Sequence, residues 1–277
     1  MDALSFYEKR VFSQNGEDGI IEELFARIGT SGKFFVEFGV STGAECMTRN
    51  FLVHHGWSGV MIEANPYHYE QLVKQFGHMS GLSLVHERVK RENIAAIFRA
   101  NSVPAAFDFL SIDIDGNVYW VWGALSDWQP RVAVIEYNAS FPPPAKMVVP
   151  YDPVFVWDGT SYFGASLTSL AGRGAQLGYA LIGTDSHGVN AFFVRRVLLD
   201  ACGFPELTPK QAYHPPAYGP DEGGHPRRSG PYLQIQLISP GSPSCGTRVA
   251  TAAPQRGTIC CPGKYTGERG IFMPRRW

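Results

Sequence analysis

Glycines and acids stand at the ends of several apolar runs between residues 34 and 138, where an α/β protein gathers its ligand-binding groups. The first such group is Val36-Glu37-Phe38-Gly39-Val40-Ser41-Thr42-Gly43-Ala44, with two glycines after a strand-like run and an acid ahead of them. Glycines in a strand-to-helix turn let a ligand approach the backbone at a helix N-terminus. A dinucleotide-binding turn would read G-x-G-x-x-G, which this segment does not, so a nicotinamide oxidoreductase is disfavoured. Glu37 adds weight to a ligand site, because a carboxylate in a buried strand is costly unless it meets a cation or hydrogen-bond donors. The second group, Met61-Ile62-Glu63-Ala64-Asn65-Pro66, puts an acid at a strand tip, positioned to take both hydroxyls of a ribose. Without a ligand, Glu63 would be an exposed acid before the helix that Pro66 opens.

The densest polar group is Asp113 and Asp115 after one apolar run, with Glu136 and Asn138 after the next. Carboxylates and an amide oxygen at the C-terminal edge of a sheet are what a hard divalent cation such as Mg²⁺ requires. A metal-free reading stands beside it. There Asp113 faces the bound ligand, Asp115 caps the following helix and Glu136 accepts hydrogen bonds from substrate.

These groups need strands and helices to bring them together. Apolar runs suited to buried strands occur at Phe34–Phe38, Gly59–Ile62, Leu82–Val85, Phe107–Ile114, Val132–Ile135, Tyr179–Ile182 and Ala191–Val194. Helical stripes alternate with the early ones: Ile20, Ile21, Leu24, Phe25 and Ile28, ended by Gly29; then Tyr69, Leu72, Val73 and Phe76; then Ile94, Ile97 and Phe98. Such alternation predicts a Rossmann-like, doubly wound α/β sheet. Only Gly183–Asn190 separates the last two runs, too few residues for a parallel crossover, so they form an antiparallel hairpin. Seven strands result, five parallel and two in the terminal hairpin.

With 277 residues, 44% apolar and 18% charged, the chain can bury a sizeable core, which excludes a disordered protein and a minimal disulfide-stapled scaffold. A formal charge of −1 gives no global field for nucleic acid or an anionic membrane, and neither is an expected partner. The five cysteines form no C-x-x-C pair, and the N-terminal Met-Asp-Ala-Leu-Ser-Phe-Tyr-Glu-Lys-Arg carries charges where a signal peptide needs an apolar run. A cytoplasmic protein is expected. Prolines crowd the region after residue 205, so residues 1–204 are taken as the working domain and 205–277 as a Pro-rich C-terminal extension. From 227 onward it carries eight Lys or Arg against the single acid Glu268. It is either an irregular segment lying on the body or a basic arm that closes over an anionic ligand or reaches a partner subunit; homo-oligomerisation stays open.

At these residues the chain resembles the class I S-adenosylmethionine-dependent methyltransferases, whose signature is strand–E/D-x-G-x-x-x-G–helix, an acid ending the second strand, and a closing antiparallel hairpin. Within them it is most similar to the FkbM-type family, over about residues 11 to 196. Further points of likeness are Ser13-Gln14-Asn15-Gly16-Glu17-Asp18-Gly19, Ser111-Ile112-Asp113-Ile114-Asp115-Gly116, Val134-Ile135-Glu136-Tyr137-Asn138 and Gly188-Val189-Asn190-Ala191-Phe192-Phe193. Asp115, where the family commonly has Glu, departs from the pattern, as does the extension.

The resemblance implies that Glu37, Gly39, Ser41 and Gly43 line the methionine and ribose part of S-adenosylmethionine and that Glu63 holds the ribose diol. Glu87 or Arg88 would border the adenine, and Gln14 would reach the cofactor's carboxylate. Independently of any cofactor, Ser13 or Asn15 suits a helix cap, with Glu17 and Asp18 favourable to the dipole. The acids at 113, 115 and 136 with Asn138 resemble the Mg²⁺ set of some O-methyltransferases, with Tyr137 intervening. The implied reaction is methyl transfer to a hydroxyl on a small molecule such as a sugar or secondary metabolite, with Mg²⁺, Asp113 or His187 handling the hydroxyl's proton. The long loop Ala139–Gly164, with Tyr151, Phe155, Trp157, Tyr162 and Phe163, is the expected substrate wall; Tyr162 and Asn190 are the candidate substrate contacts. The alternative from another class is a non-catalytic cofactor-binding module whose extension contacts a partner.

Overall fold

Ile20, Ile21, Leu24, Phe25 and Ile28 recur at helical spacing, and in the computed structural model of the chain they form the buried face of α1 (Glu17–Ile28), which stops at Gly29 with φ 69°. The structure describes residues 3–220, 223–236 and 249–251. Cys245, Cys260, Cys261 and most of the basic run lie outside the described residues. After α1 come β1 (Phe34–Phe38), α2 (Arg49–His54), β2 (Ser58–Glu63), α3 (Pro66–Phe76), β3 (Leu82–His86), α4 (Ile94–Ala100), β4 (Phe109–Ile112), α5 (Val118–Gly123) and β5 (Val132–Glu136). Then follow β6 (Met147–Val148), α6 (Leu167–Gln176), β7 (Tyr179–Thr184), β8 (Asn190–Arg195), two short helices α7 (Leu199–Cys202) and α8 (Pro209–Ala212), β9 (Leu233–Ile235) and β10 (Val249–Thr251).

Seven strands form one sheet in the order β3-β2-β1-β4-β5-β8-β7. β1 to β5 are parallel, whereas β8 runs antiparallel to both β5 and β7. This is the doubly wound α/β sheet with a terminal antiparallel hairpin. Because side chains alternate along a strand, Val36 and Phe38 face a core built with α4, α5 and α6, while Phe35 faces a second core built with α1, α2 and α3. The second, small sheet has the order β10-β9-β6.

The fourth strand is shorter than its apolar run. Asp108 ends it on one side, fully buried with its carboxylate taken by Ser31 and Gly32; on the other side Asp115 leaves the strand with φ 58°. The described residues 205–220 and 223–236 lie against the sheet domain. Ala212 and Ile235 are buried in the first core, Leu207 N donates to Leu181 O at 2.8 Å, and Thr184 Oγ1 donates to Ala212 O at 2.6 Å. No helix among the described residues is long and apolar enough to cross a membrane.

Candidate functional site

Strand order reverses between β1 and β4, and there the loops after the two strands part to leave a crevice at their C-terminal ends. Gly39 makes their close approach possible: its φ is 75°, and a Cβ built on it would stand 1.7 Å from the carbonyl oxygen of Asp113. No other residue fits. Ser41 is also left-handed, φ 52°, and is held by its amide donating to Glu63 Oε2 at 2.7 Å. Glu63 Oε1 accepts from Asn65 N at 2.7 Å, and the Asn65 side chain caps α3 by accepting from Tyr67 N and His68 N. The acid at the tip of β2 therefore braces the glycine turn from behind.

A cavity of about 660 Å³ opens in this crevice. Of the expected cofactor residues, Gln14, Glu37, Gly39 and Ser41 line it; Asp113, Asp115 and Glu136 line it from the neighbouring strands and Asn190 from the hairpin. One carboxylate oxygen from each of Asp113, Asp115 and Glu136 lies within 4.8 Å of the others. That spread suits oxygen ligands around one hard cation after small side-chain adjustments.

Glu37, 3% exposed, accepts from Met47 N (3.0 Å), Thr48 N (3.0 Å) and Thr48 Oγ1 (2.5 Å). Burial pushes its carboxyl above the ordinary range, and these donors oppose that rise. On the far wall, Glu17 Oε1 accepts from Asn190 Nδ2 at 2.8 Å, tying the start of α1 to the hairpin. The helix is not capped by Ser13 or Asn15; its N-cap is Gly16, while Ser13 Oγ accepts from Asp18 N and Asp18 Oδ2 gathers the amides of Val11, Phe12 and Ser13.

Several expected residues stand elsewhere. Gly43 does not line the cavity: a Cβ there would meet Phe76 and Leu72 at 2.5 and 2.7 Å, so its role is packing of the turn on α3. Glu63, Glu87 and Arg88 are also off the cavity; Glu87 is exposed, and Arg88 Nη1 donates to the Phe155 carbonyl at 3.0 Å. The Asn138 side chain is taken up by backbone. Its amide nitrogen donates to the carbonyls of Ser161 and Phe163, and its oxygen accepts from Ser140 N, so it fastens both ends of the long loop. Asp115 does not cap α5, whose N-cap is Asn117. His187 sits in a hairpin turn organised by Asp185, whose carboxylate accepts from the amides of His187, Val189 and Asn190, and it does not reach the cavity. Tyr162 turns away from the cavity to pack on Tyr232 and beneath the Arg228 guanidinium.

Sequence reasoning missed part of the wall. Trp157 and Phe163 come from the expected loop, but Tyr218 and His225 come from the extension. His225 meets Trp157 edge-on at 4.5 Å and Tyr218 at 5.1 Å, and burial lowers its tendency to take a proton. Nothing periodic marks these residues. Their place is set by Gly219 (φ 84°), Gly224 (φ 94°) and the Gly224 N to Tyr218 O hydrogen bond of 2.8 Å.

No family model matches the chain, and no curated protein does. Among solved structures it is similar to the N-terminal domain of EvdMO1 with SAH bound, at 10% identity and a TM-score of 0.42 over 66% of this chain and 80% of that one. It is also similar to the citrinin polyketide synthase CMeT domain (11%, TM-score 0.44, 65% and 51%) and to a putative sarcosine dimethylglycine methyltransferase from Galdieria sulphuraria (14%, 0.43, 62% and 64%). These likenesses are distant.

Proposed function

We propose that the protein is an S-adenosylmethionine-dependent methyltransferase acting on a hydroxyl of a small molecule, with a divalent cation assisting. The observation that carries this reading is the Gly39–Ser41 turn, pressed against Asp113 and braced by Glu63, opening on a cavity whose other wall bears Asp115 and Glu136. The residues present fit the methionine end of such a cofactor. Gly39 brings the turn in without a Cβ, and Gln14, Glu37 and Ser41 offer polar groups around it. Glu63, Glu87 and Arg88 do not line the cavity, so no contact to ribose or adenine is assigned to them.

S-adenosylmethionine supplies an electrophilic methyl group, leaving the protein to position a nucleophile and take up its proton. Glu37 holds the turn's following segment through Met47 and Thr48, which keeps the wall rigid against the cavity. Asp113, Asp115 and Glu136 would hold the cation, which when bound would lower the pKa of a coordinated hydroxyl. Without a cation, Asp113 is the residue placed to take the proton, His187 being off the cavity.

Thermal melting separates these two forms of the chemistry. With chelator and then excess Mg²⁺ or Mn²⁺, the expected result is a rise in Tm that vanishes in Asp113→Asn and Glu136→Gln, because a ligand stabilises only the state that has its cage. No rise in the wild type, with activity lost in Asp113→Asn and the fold intact, would assign Asp113 as the base and remove the metal.

A further inference from the structure

The phenol of Tyr218 is a donor without an assignment. Its hydroxyl is buried and has no hydrogen-bond partner among the described residues, yet the side chain lines the cavity. Leaving a buried hydroxyl unpaired is costly, and such atoms in a site call for a ligand or a water.

Its neighbours describe what would sit beside it. Trp157, Phe163 and His225 also line the cavity, and their rings meet edge-on, Trp157 to His225 at 4.5 Å and Phe163 to His225 at 6.0 Å. This is an apolar wall with polar edges, the kind of surface on which a flat or ring-shaped molecule packs. Asp113, Asp115 and Glu136 line the same cavity, and three acidic groups there disfavour an anion.

We infer that residues 218 and 225 of the C-terminal extension complete the acceptor subsite, with Tyr218 donating a hydrogen bond to an oxygen of an uncharged, hydroxyl-bearing ring that packs on Trp157 and His225. The inference rests on the methyltransferase reading for the word acceptor, but the subsite and its ligand chemistry stand on the wall itself. It makes the extension part of the specificity machinery. A sugar ring and a phenolic ring share this chemistry, and the test distinguishes them.

The experiment is ligand-observed NMR on the full chain saturated with S-adenosylhomocysteine, using four probes. Methyl glucoside and catechol are uncharged rings with adjacent hydroxyls; glucose 1-phosphate and 3,4-dihydroxybenzoate are their anionic counterparts. At least one uncharged probe is expected to bind more tightly than its anionic partner, the sugar or the phenol arm identifying the source. Tyr218→Phe, which keeps the ring, is expected to weaken that probe about tenfold while leaving S-adenosylhomocysteine affinity unchanged. Trp157→Ala should weaken the same probe, again without touching the cofactor product. Binding of neither uncharged probe, preference for the anionic partner, or indifference to Tyr218→Phe overturns the inference. Failure of S-adenosylhomocysteine to bind at all, with a ring probe still sensitive to Tyr218→Phe, instead overturns the methyltransferase reading and leaves the subsite standing.

Discussion

The two ends of β4 carry acids in opposite circumstances. Asp108, at the N-terminal end, is fully buried and receives the amides of Ser31 (2.6 Å), Gly32 (2.9 Å) and Phe34 (3.3 Å) with the Ser31 hydroxyl, and Arg131 lies 3.6 Å away. Asp113 and Asp115, beyond the C-terminal end, are half-buried and line a cavity beside Glu136. The first acid is surrounded by donors from its own chain and serves the fold. The others converge on one cavity with a third carboxylate, one oxygen of each within 4.8 Å of the others. Burial alone therefore does not mark a functional carboxylate. What marks it is facing a cavity together with groups of the same sign.

The largest effect that would sharpen this contrast is expected at the fold-serving end. Asp108→Ala leaves three backbone amides and the Arg131 guanidinium without their carboxylate, and should lower unfolding free energy by roughly 3–5 kcal/mol. Urea denaturation checks it; a loss below about 1 kcal/mol would mean that the donors find water instead.

Asp185 is an intermediate case, closed by amides yet facing Glu17, and burial pushes it up to about 7; Glu37 is raised in the same direction. A carboxyl raised in the folded state holds its proton more tightly there than in the unfolded chain. Its contribution is present below the unfolded carboxyl range and is lost as pH climbs toward the folded value. For Asp185 that amounts to at most about 4 kcal/mol between about pH 4 and 7. Tm is thus expected to fall from pH 5 to pH 7.5, and Asp185→Asn, which cannot titrate, should flatten part of that slope. A Tm that rises over this range in the wild type would contradict the assignment.

At the cavity end the expectation inverts. Asp113→Asn keeps the side-chain shape at a half-buried cavity position, so the fold should hold, while methyl transfer falls about a hundredfold. Parallel melting and turnover measurements check it, and loss of the fold together with activity would erase the distinction between the two ends. The smallest effect belongs to Arg10→Ala. Its pair with Glu45 at 2.9 Å is exposed, and its removal should change stability by less than about 1 kcal/mol.

Much of this architecture was legible from residue patterns. The run Phe34–Phe38 coincides with β1, and the stripes at 20–28, 69–76 and 94–98 lie on α1, α3 and α4, because periodic burial is a local signal. The hairpin followed from the shortness of Gly183–Asn190. In the site, Glu37, Gly39 and the acids at 113, 115 and 136 could be placed since strand ends and glycine turns fix them. Asn138 and His187 could not. Whether a loop side chain faces the cavity depends on how its hydrogen bonds are placed, to the distant Ser161 and Phe163 for Asn138 and within the turn that Asp185 organises for His187. Tyr218 and His225 were hidden too, their positions being set by the contact of His225 with Trp157, that of Tyr218 with His225, and the turn that Gly219 and Gly224 allow.

The central claim, that the crevice between β1 and β4 binds the cofactor, is tested most directly by calorimetric titration of the full chain with S-adenosylhomocysteine. Micromolar binding is expected in the wild type, weakened about tenfold or more in Glu37→Gln, whose wall packs through Met47 and Thr48, with the fold intact by circular dichroism. Absence of binding by the folded wild-type protein, or equal binding by the variant, would contradict it.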